Sequence, residues 1–518
     1  MKGNLSKGAY VAVRLFELLS GAGIDCPEHI EDVKITSIET DSRKVRAGSM
    51  FVCINGFNSD GHNYIKDAVD AGASVVVTEI GRDECVGGAA AVKVLNTRRA
   101  SAFLYNSWHG DPASKLKIIG ITGTNGKTSV ACILRDIFIK SGKLCGYIGT
   151  VGCYSLFTKI EYGDKESLAN MTTPDPAELY ALMARMVDDG VEYLFLEATS
   201  HASALSKLDP IFFDTLVFTN LTRDHLDFHG SMEEYFSSKA TLFSRCRTAV
   251  VNADDKYAAR IIKGSKAERN ILCSCENQNC NVYASNICLG GGDGFRMKVK
   301  TEMTEFDAEI PLVGRFSPIN SLEAIAVAEC YGIAKGELSQ ILKGVNSVSG
   351  RMERVDIDKR ADFSVYIDYA HTPDALENIL LSARDLVLGE RLEDTVKNRG
   401  RVIVLFGCGG DRDRGKRREM GAIASRLADF VIVTSDNCRS EEPSSIIEDV
   451  YKGINKEKQH IIIVERESAI RFAVSIASKG DVLILAGKGH EKYDISSRGR
   501  EFFDESEIVK DAVAKRFA

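Results

Sequence analysis

No apolar run in this 518-residue sequence reaches the ~18 residues that a membrane span needs. Its start, MKGNLSKGAY, lacks the apolar core of a secretory signal. Both absences point to a chain that stays in the cytoplasm. A surplus of positive charge is missing too: 66 Lys and Arg stand against 73 Asp and Glu, a net charge of −7. A sequence-independent nucleic-acid binder needs a basic surface, so no nucleic-acid partner is expected, although local cations can still hold a small anion. Paired C-x-x-C spacing is lacking. Fourteen cysteines are scattered through apolar segments such as MFVCING and VACIL, which suits buried thiols in a reducing compartment better than a disulfide framework. The cluster Cys273, Cys275, Cys280 and Cys288 has no nearby His to complete a zinc site. No internal repeat and no low-complexity tract interrupts the chain.

With 44% hydrophobic and 27% charged residues, the chain can bury a large core and is expected to form three domains rather than one. Short apolar runs end in Gly, Asn, Asp or Ser and are followed by amphipathic helical patterns: KIIGITG, EYLFLEATS, TLVFTNLT, AVVNADD, SVYIDYAHT, RVIVLFGCGG, FVIVTSDN and DVLILAGKG. This alternation predicts an α/β fold of parallel sheets covered on both faces, with ligands at the carboxyl ends of the strands. Three blocks separate, 1–108, 109–348 and 349–518. The first ends at a linker-like stretch, SWHGDPASK, that holds the sole tryptophan. The GGGDG at 290–294, between strand-like NVYASNICL and FRMKVKTE, predicts a hairpin turn.

The stretch KLKIIGITGTNGKTSVACIL reads as a strand, a glycine loop and a helix start. Successive backbone N–H groups and a helix N-terminus form an anion cradle there, from Gly123, Thr124, Asn125 and Gly126 to Ser129. Lys127 is placed to pair with outer phosphates and Thr128 to put its hydroxyl on Mg²⁺. The spacing is one residue off the general G-x-x-x-x-G-K-[ST] pattern, because Ile121 stands where that pattern has its first glycine. No guanine-reading N-K-x-D motif accompanies the loop. Downstream, VEYLFLEATSHASAL delivers Glu197 and His201 at a strand end, where many NTPases hold a second Mg²⁺ ligand. FTNLTRDHLDFHG then packs Asn220, Arg223, Asp224, His225, Asp227 and His229 together, and Lys239 follows on a helical segment.

These residues resemble the Mur ligases. The resemblance is carried by GITGTNGKT, E-x-x-SH, N-L-x-x-DHLD-x-H, S-K-A-x-LF, GRMERV, DYAHTPDAL, FGCGGDRDRGKR, DN-x-R-x-E-x-P and GKGHE, and it runs from DSRKVRAGSMFV at residue 41 to Glu491. It implies a three-domain Mur ligase architecture: a UDP-sugar-binding N-terminal domain, a central P-loop ATPase-type parallel sheet, and a C-terminal Rossmann-like domain that binds an amino acid. The implied activity is ATP-dependent amide-bond formation, in which a carboxylate is activated as an acyl phosphate. The match is strongest to members that add the third stem-peptide residue in peptidoglycan precursor synthesis. They join meso-diaminopimelate, L-lysine or another diamine to the D-glutamate of UDP-N-acetylmuramoyl-L-alanyl-D-glutamate. A non-catalytic ligase-like nucleotide-binding module is the alternative, against which Lys127, Glu197, His225 and Lys239 are all present.

By the same resemblance Lys127, Glu197, His225, Lys239 and Arg351 carry the chemistry. Thr128, Glu197, His225 and a carbamylated Lys239 hold Mg²⁺ at two sites. Asn320, Arg351, Asp368 and His371 join Gly123 to Ser129 around ATP. Here GRFSPIN departs from relatives at Ser317 and Pro318, which puts one polar contact in question. Thr40, Ser42, Phe57, Asn58 and Ser59 match the uridine-diphosphate site, and Thr172, Thr173, Thr199, Ser200 and Lys207 match residues that hold the muramoyl-dipeptide. Arg412, Asp436, Asn437, Cys438, Arg439, Gly487 and Glu491 match the amino-acid pocket. Diaminopimelate-adding relatives carry D-N-P-R, and the arginine is kept here as Asp436-Asn437-Cys438-Arg439; its guanidinium suits the distal carboxylate. Cysteine in place of proline is expected to relax the backbone before Arg439. The partners expected are these small molecules, and the chain is expected to be a monomer.

Overall fold

The computed structural model describes residues 12–57, 59–81, 87–160, 171–389 and 400–518. They form two compact units, one of residues up to 120 with 144–214 and one of residues 121–143 with 215–518.

In the first unit, β1 (Ser37–Glu39), β2 (Ser49–Val52), β3 (Ala73–Thr78) and β4 (Ala90–Lys93) form a parallel sheet in that order. Every residue of β2 is buried, as a strand covered on both faces requires. Helix Thr97–Trp108 begins where the Asn96 side chain accepts from Arg99 N–H, 2.9 Å, which satisfies one of the orphan donors of a helix start. SWHGDPASK is not an extended linker. It is the end of this helix, a turn with Asp111 at φ 56°, and a short helix Pro112–Lys115, whose opening proline forfeits a donor that had no partner anyway. The same unit holds β5 (Lys117–Thr122) as far as Gly120, with β6 (Cys145–Gly149), β7 (Gly152–Ser155), β8 (Thr158–Lys159) and β9 (Tyr193–Glu197), in the order β8-β7-β6-β9-β5. β6 and β9 run parallel, and Glu197 stands at the carboxyl end of β9.

The second unit contains β10 (Phe213–Phe218) from Thr215 onward, with β11 (Cys246–Asn252), β12 (Arg269–Ser274), β13 (Val282–Leu289), β14 (Phe295–Lys300) and β15 (Glu305–Ile310), in sequence order. The turn at Gly291–Asp293 joins antiparallel β13 and β14, as GGGDG predicts. Helices Lys127–Lys140 and Ser317–Cys330 pack together.

A six-stranded sheet follows, built from β16 (Glu353–Arg354), β17 (Ser364–Asp368), β18 (Val402–Phe406), β19 (Phe430–Val433), β20 (His460–Ile462) and β21 (Val482–Ala486), in the order β16-β17-β21-β18-β19-β20. All neighbours are parallel except β16 with β17. The two-residue period of a strand is visible in β18, where Val402, Val404 and Phe406 enter one core with Leu376, Met420 and Ile446. Ile403 and Leu405 enter the other with Ile470 and Val509. A hairpin of β22 (Tyr493–Ser496) and β23 (Gly499–Phe502) follows β21. The expected α/β architecture is thus the observed one. Among the described residues no helix is long and apolar enough to cross a membrane, and no disulfide joins the described cysteines.

Candidate active site

In the first unit a cavity of about 710 Å³ is lined by Thr40, Ser42 and Ser59, together with the cations Arg43, Arg98 and Lys207. Phe57 is 74% exposed, and the Arg98 guanidinium lies 5.5 Å over its ring. Asn58 lies outside the described residues. Lys207, on the cavity wall, pairs with Asp175 at 2.7 Å, and its carbonyl accepts from Tyr180 Oη at 2.8 Å. Arg43, Arg98 and Asp175 escaped sequence reasoning, because nothing local marks an arginine as facing a cavity rather than solvent.

Glu197 is fully buried and accepts from Tyr147 Oη, from Thr150 N–H at 3.0 Å and from Thr150 Oγ1 at 2.9 Å. Thr172 Oγ1 lies 3.1 Å from Thr150 Oγ1. Thr173 Oγ1 donates to the Glu197 carbonyl at 2.6 Å and lies 3.0 Å from Thr199 Oγ1. Thr199 caps the helix that Ser200 begins. These hydroxyls therefore form one connected group with Glu197.

The glycine loop belongs to the second unit. Gly126 has φ 86°, and a Cβ there would meet Asn320 Oδ1 at 2.7 Å; one on Gly123 would meet Thr219 Oγ1 at 2.0 Å. Only glycine permits this threading. Asn220 Oδ1 accepts from Asn125 N–H at 2.9 Å, the Asn220 carbonyl accepts from Thr124 N–H at 2.9 Å, and Asn125 Nδ2 donates to Asp374 at 2.7 Å. Lys127 Nζ donates to the carbonyls of Gly123 and Thr124, at 3.0 and 2.8 Å. Thr128 and Ser129 are buried, and Arg351 Nη2 reaches Thr128 Oγ1 at 3.3 Å.

Lys239, on helix Met232–Ala240, is not the solvated side chain usual for a helical lysine. It is 1% exposed, donates to Gly123 O at 2.8 Å and lies 4.8 Å from the Tyr235 ring centroid. Burial, with Lys127 nearby, holds its ammonium well below the usual lysine range. His225 has φ 55°, with Nε2 3.3 Å from Asp224; His371 Nε2 lies 3.9 Å from the same carboxylate. Burial opposes ionisation of Asp224, but His225, His371 and Lys416 bring it down to about 2, while burial and Lys416 push His371 down to about 4.

Asp368 accepts from Met352 N–H at 2.7 Å and Ala370 N–H at 2.8 Å, yet complete burial pushes it up to about 6 despite Arg351. The Arg351 guanidinium stacks 4.7 Å over Tyr369. Among the described residues Asn320 Nδ2 is buried without a hydrogen-bond partner, in a cavity it shares with Ser129, Phe316 and Arg351. Ser317, the departure from relatives, donates to Val313 O at 2.8 Å, so its hydroxyl serves the helix start.

The remaining predicted residues meet at the carboxyl edge of the C-terminal sheet. Asn437 Nδ2 donates to Glu491 at 2.7 Å, and Asn437 Oδ1 accepts from Lys488 Nζ at 3.1 Å and Ile495 N–H at 2.9 Å. Arg439 adopts φ 51°, which costs a non-glycine residue roughly 1–2 kcal/mol. Its N–H donates to Ile495 O at 3.1 Å and its Nη1 to Gly410 O at 2.8 Å. The left-handed residue of this motif is Arg439 itself, one position after Cys438. Gly487 (φ 119°) lets Asp436 approach, since a Cβ would meet its Oδ2 at 2.4 Å. Burial, with Asp436, raises Glu491. Arg412 is lowered by burial and by Arg439.

Comparison with known proteins follows the same order along the chain. Residues 34–104 match the family model for the Mur ligase family catalytic domain, 121–328 the Mur ligase middle domain, and 350–489 the Mur ligase glutamate ligase domain. A UDP-N-acetylmuramoyl-L-alanyl-D-glutamate–2,6-diaminopimelate ligase of Clostridioides difficile is 38% identical over 97% of this chain and 100% of its own length. The relative of the same name in Clostridium perfringens is 40% identical over 96% and 99%. A solved structure of a ligase with that name is 28% identical and superposes with a TM-score of 0.68, covering 98% of this chain and 100% of its own. With identity sustained over nearly whole chains, this chain belongs to the Mur ligase family.

Proposed function

We propose that this protein is an ATP-dependent ligase that joins meso-diaminopimelate to the D-glutamate of UDP-N-acetylmuramoyl-L-alanyl-D-glutamate, a step of peptidoglycan precursor synthesis. The observation that carries the reading is the Arg439, Asn437 and Glu491 group. A cation and a carboxylate there are both held by Asn437, Arg439 through its main-chain carbonyl and Glu491 through its side-chain amide, and this suits the distal carboxylate and ammonium of a diamino diacid. The names of the relatives support the same substrate pair. The segments 1–108, 109–348 and 349–518 would take the UDP-sugar, ATP and the amino acid in turn.

In the reaction an oxygen of the D-glutamate side-chain carboxylate bonds to the γ-phosphorus as the β,γ-bridging bond breaks and ADP leaves. The amine then adds to the acyl carbon, and the carbonyl pair moves onto oxygen. Collapse expels phosphate, and the surplus proton of the amine passes to solvent. The glycine loop and Lys127 bind the phosphates, while Asn320, Arg351 and Asp368 orient the nucleoside. Lys239, whose burial favours the free amine, suits carbamylation. Thr128, Glu197, His225 and that carbamate would hold Mg²⁺. Mg²⁺ characteristically takes much of its shell from nucleotide phosphates and water; among the described residues no group of three or more His, Cys, Asp or Glu could hold a metal ion. When bound, Mg²⁺ neutralises charge on the transferring phosphoryl group.

The test is phosphate release from ATP with the UDP-muramoyl-dipeptide, offering meso-diaminopimelate and L-lysine separately. Release with diaminopimelate alone is expected. Release with lysine alone would overturn the role of Arg439, and release with neither would overturn the reaction.

A further inference from the structure

Lys488 follows β21 in the loop that carries Gly487 and Glu491, and its side chain is fully buried. A buried ammonium has to be compensated donor by donor. Each of the three N–H donors of Lys488 finds an acceptor: Asn437 Oδ1 at 3.1 Å, Tyr493 O at 3.0 Å and Asp494 Oδ1 at 2.7 Å. Asp436 Oδ1 lies 3.8 Å from the same ammonium. The group is saturated by the protein itself, so any effect on a substrate passes through its partners.

Among those partners Asn437 reaches both ends of the pocket. Its main-chain carbonyl accepts from Arg439 Nη1 at 3.2 Å, and its Nδ2 donates to Glu491 at 2.7 Å. By shape alone a side-chain amide can present either end to a carboxylate. The choice is made at its other end, where Lys488 Nζ and the Ile495 N–H, the latter at 2.9 Å, can only donate. Oδ1 has to face them, which turns Nδ2 to Glu491. A flipped amide would set an N–H against an ammonium and an oxygen against a carboxylate, leaving buried groups unpaired.

We infer that Lys488 is a positioning residue of the amino-acid pocket: it locks the Asn437 amide so that Nδ2 holds Glu491 where the distal ammonium of the diamine arrives. This deepens the ligase reading above and rests on it. Lys488 itself touches no substrate. It acts on the choice of amino acid, because a carboxylate fixed before binding recognises a cation without the cost of being ordered by it.

The test compares meso-diaminopimelate with α-aminopimelate, which keeps the reacting amine and the distal carboxylate but lacks the distal ammonium. Wild type should favour diaminopimelate in kcat/KM. Lys488→Met keeps the stem and removes every donor, so KM for diaminopimelate should rise about tenfold, the scale of one charge-assisted hydrogen bond. KM for α-aminopimelate, for ATP and for the UDP-muramoyl-dipeptide should stay within about threefold. Lys488→Arg, which keeps charge and donors, should recover part of the preference. A lysine that only braces the loop would weaken both amino acids alike, so equal losses would overturn the assignment, as would an unchanged preference. If the Met variant melts early, the same ratio measured in Lys488→Gln decides in the same way. Equal use of the two amino acids by wild type would also overturn it. Wild type that releases no phosphate with either would instead sink the ligase reading before Lys488 is touched.

Discussion

Lys239 Nζ and Lys127 Nζ share one acceptor, the carbonyl oxygen of Gly123, at 2.8 and 3.0 Å. Two ammonium groups on one carbonyl repel each other, and burial of Lys239 adds to the penalty. The outcome is a lysine whose ammonium is held well below the usual lysine range, and the neutral amine is the species that attacks carbon dioxide. Lys239→Ala should therefore lose most turnover while keeping UDP-muramoyl-dipeptide affinity, because the cavity lined by Thr40 and Ser42 belongs to the first unit. Calorimetry of the variant checks the second half. Near wild-type turnover would remove the carbamate from the mechanism.

Asp368 supplies the pH dependence. Burial raises its carboxyl to about 6, above the usual aspartate value, so the group is protonated below that pH. If the carboxylate accepts from the nucleotide, ADP affinity should be full above about pH 7 and should fall as pH drops through about 6, by up to tenfold per unit. Asp368→Asn should flatten the profile and bind weakly throughout. Titration calorimetry from pH 5 to 8 makes the comparison, and an unchanged slope in the variant would assign the titration to another group.

Glu323 has no part in the proposed chemistry and should govern stability. It is fully buried on helix Ser317–Cys330, and among the described residues neither carboxylate oxygen has a hydrogen-bond partner. Burial, with Asp254 nearby, holds it well above the usual glutamate range. The folded state therefore keeps a proton that the unfolded state releases above about pH 4.3. The stabilising neutral form is fully present below that pH, and stability falls as pH rises toward the folded value. Glu323→Gln should remove this slope and gain about 1–3 kcal/mol at pH 8 relative to pH 5, measured by urea unfolding at both.

How much of this was legible in the sequence depends on distance along the chain. The anion cradle was, because strand, glycines, lysine and threonine are contiguous and each residue type has a local reason. The sheets were too, since each strand run carries its own period. What contiguity does not reach is pairing between loops. Asp224 stood in a conspicuous cluster, but nothing local says that its partners are His371 and Lys416. Lys239 looked like any helical lysine, and only the family resemblance marked it. The left-handed Arg439 escaped for a different reason. Positive φ is signalled by glycine or asparagine, and here hydrogen bonds to Ile495 and Gly410 hold an arginine in it.

That constrained arginine yields the last prediction. Arg439 is fixed by its own backbone and by Nη1 contacts to Gly410 O and Asn437 O, so the rest of its guanidinium fork can be presented in one orientation. A planar fork binds a carboxylate through two parallel hydrogen bonds, which an ammonium cannot reproduce. Arg439→Lys keeps the charge and the backbone demand but removes the fork, so the change isolates bidentate recognition. KM for meso-diaminopimelate should rise about 10- to 100-fold, the worth of roughly 1.5–3 kcal/mol in charge-assisted bonds. KM for ATP should not move, because the nucleotide contacts belong to other residues. L-lysine lacks the distal carboxylate, so any residual turnover with it should be unaffected by the substitution. Steady-state kinetics with both diamines separate the two cases, and equal losses on both would mean that Arg439 holds the loop rather than the substrate.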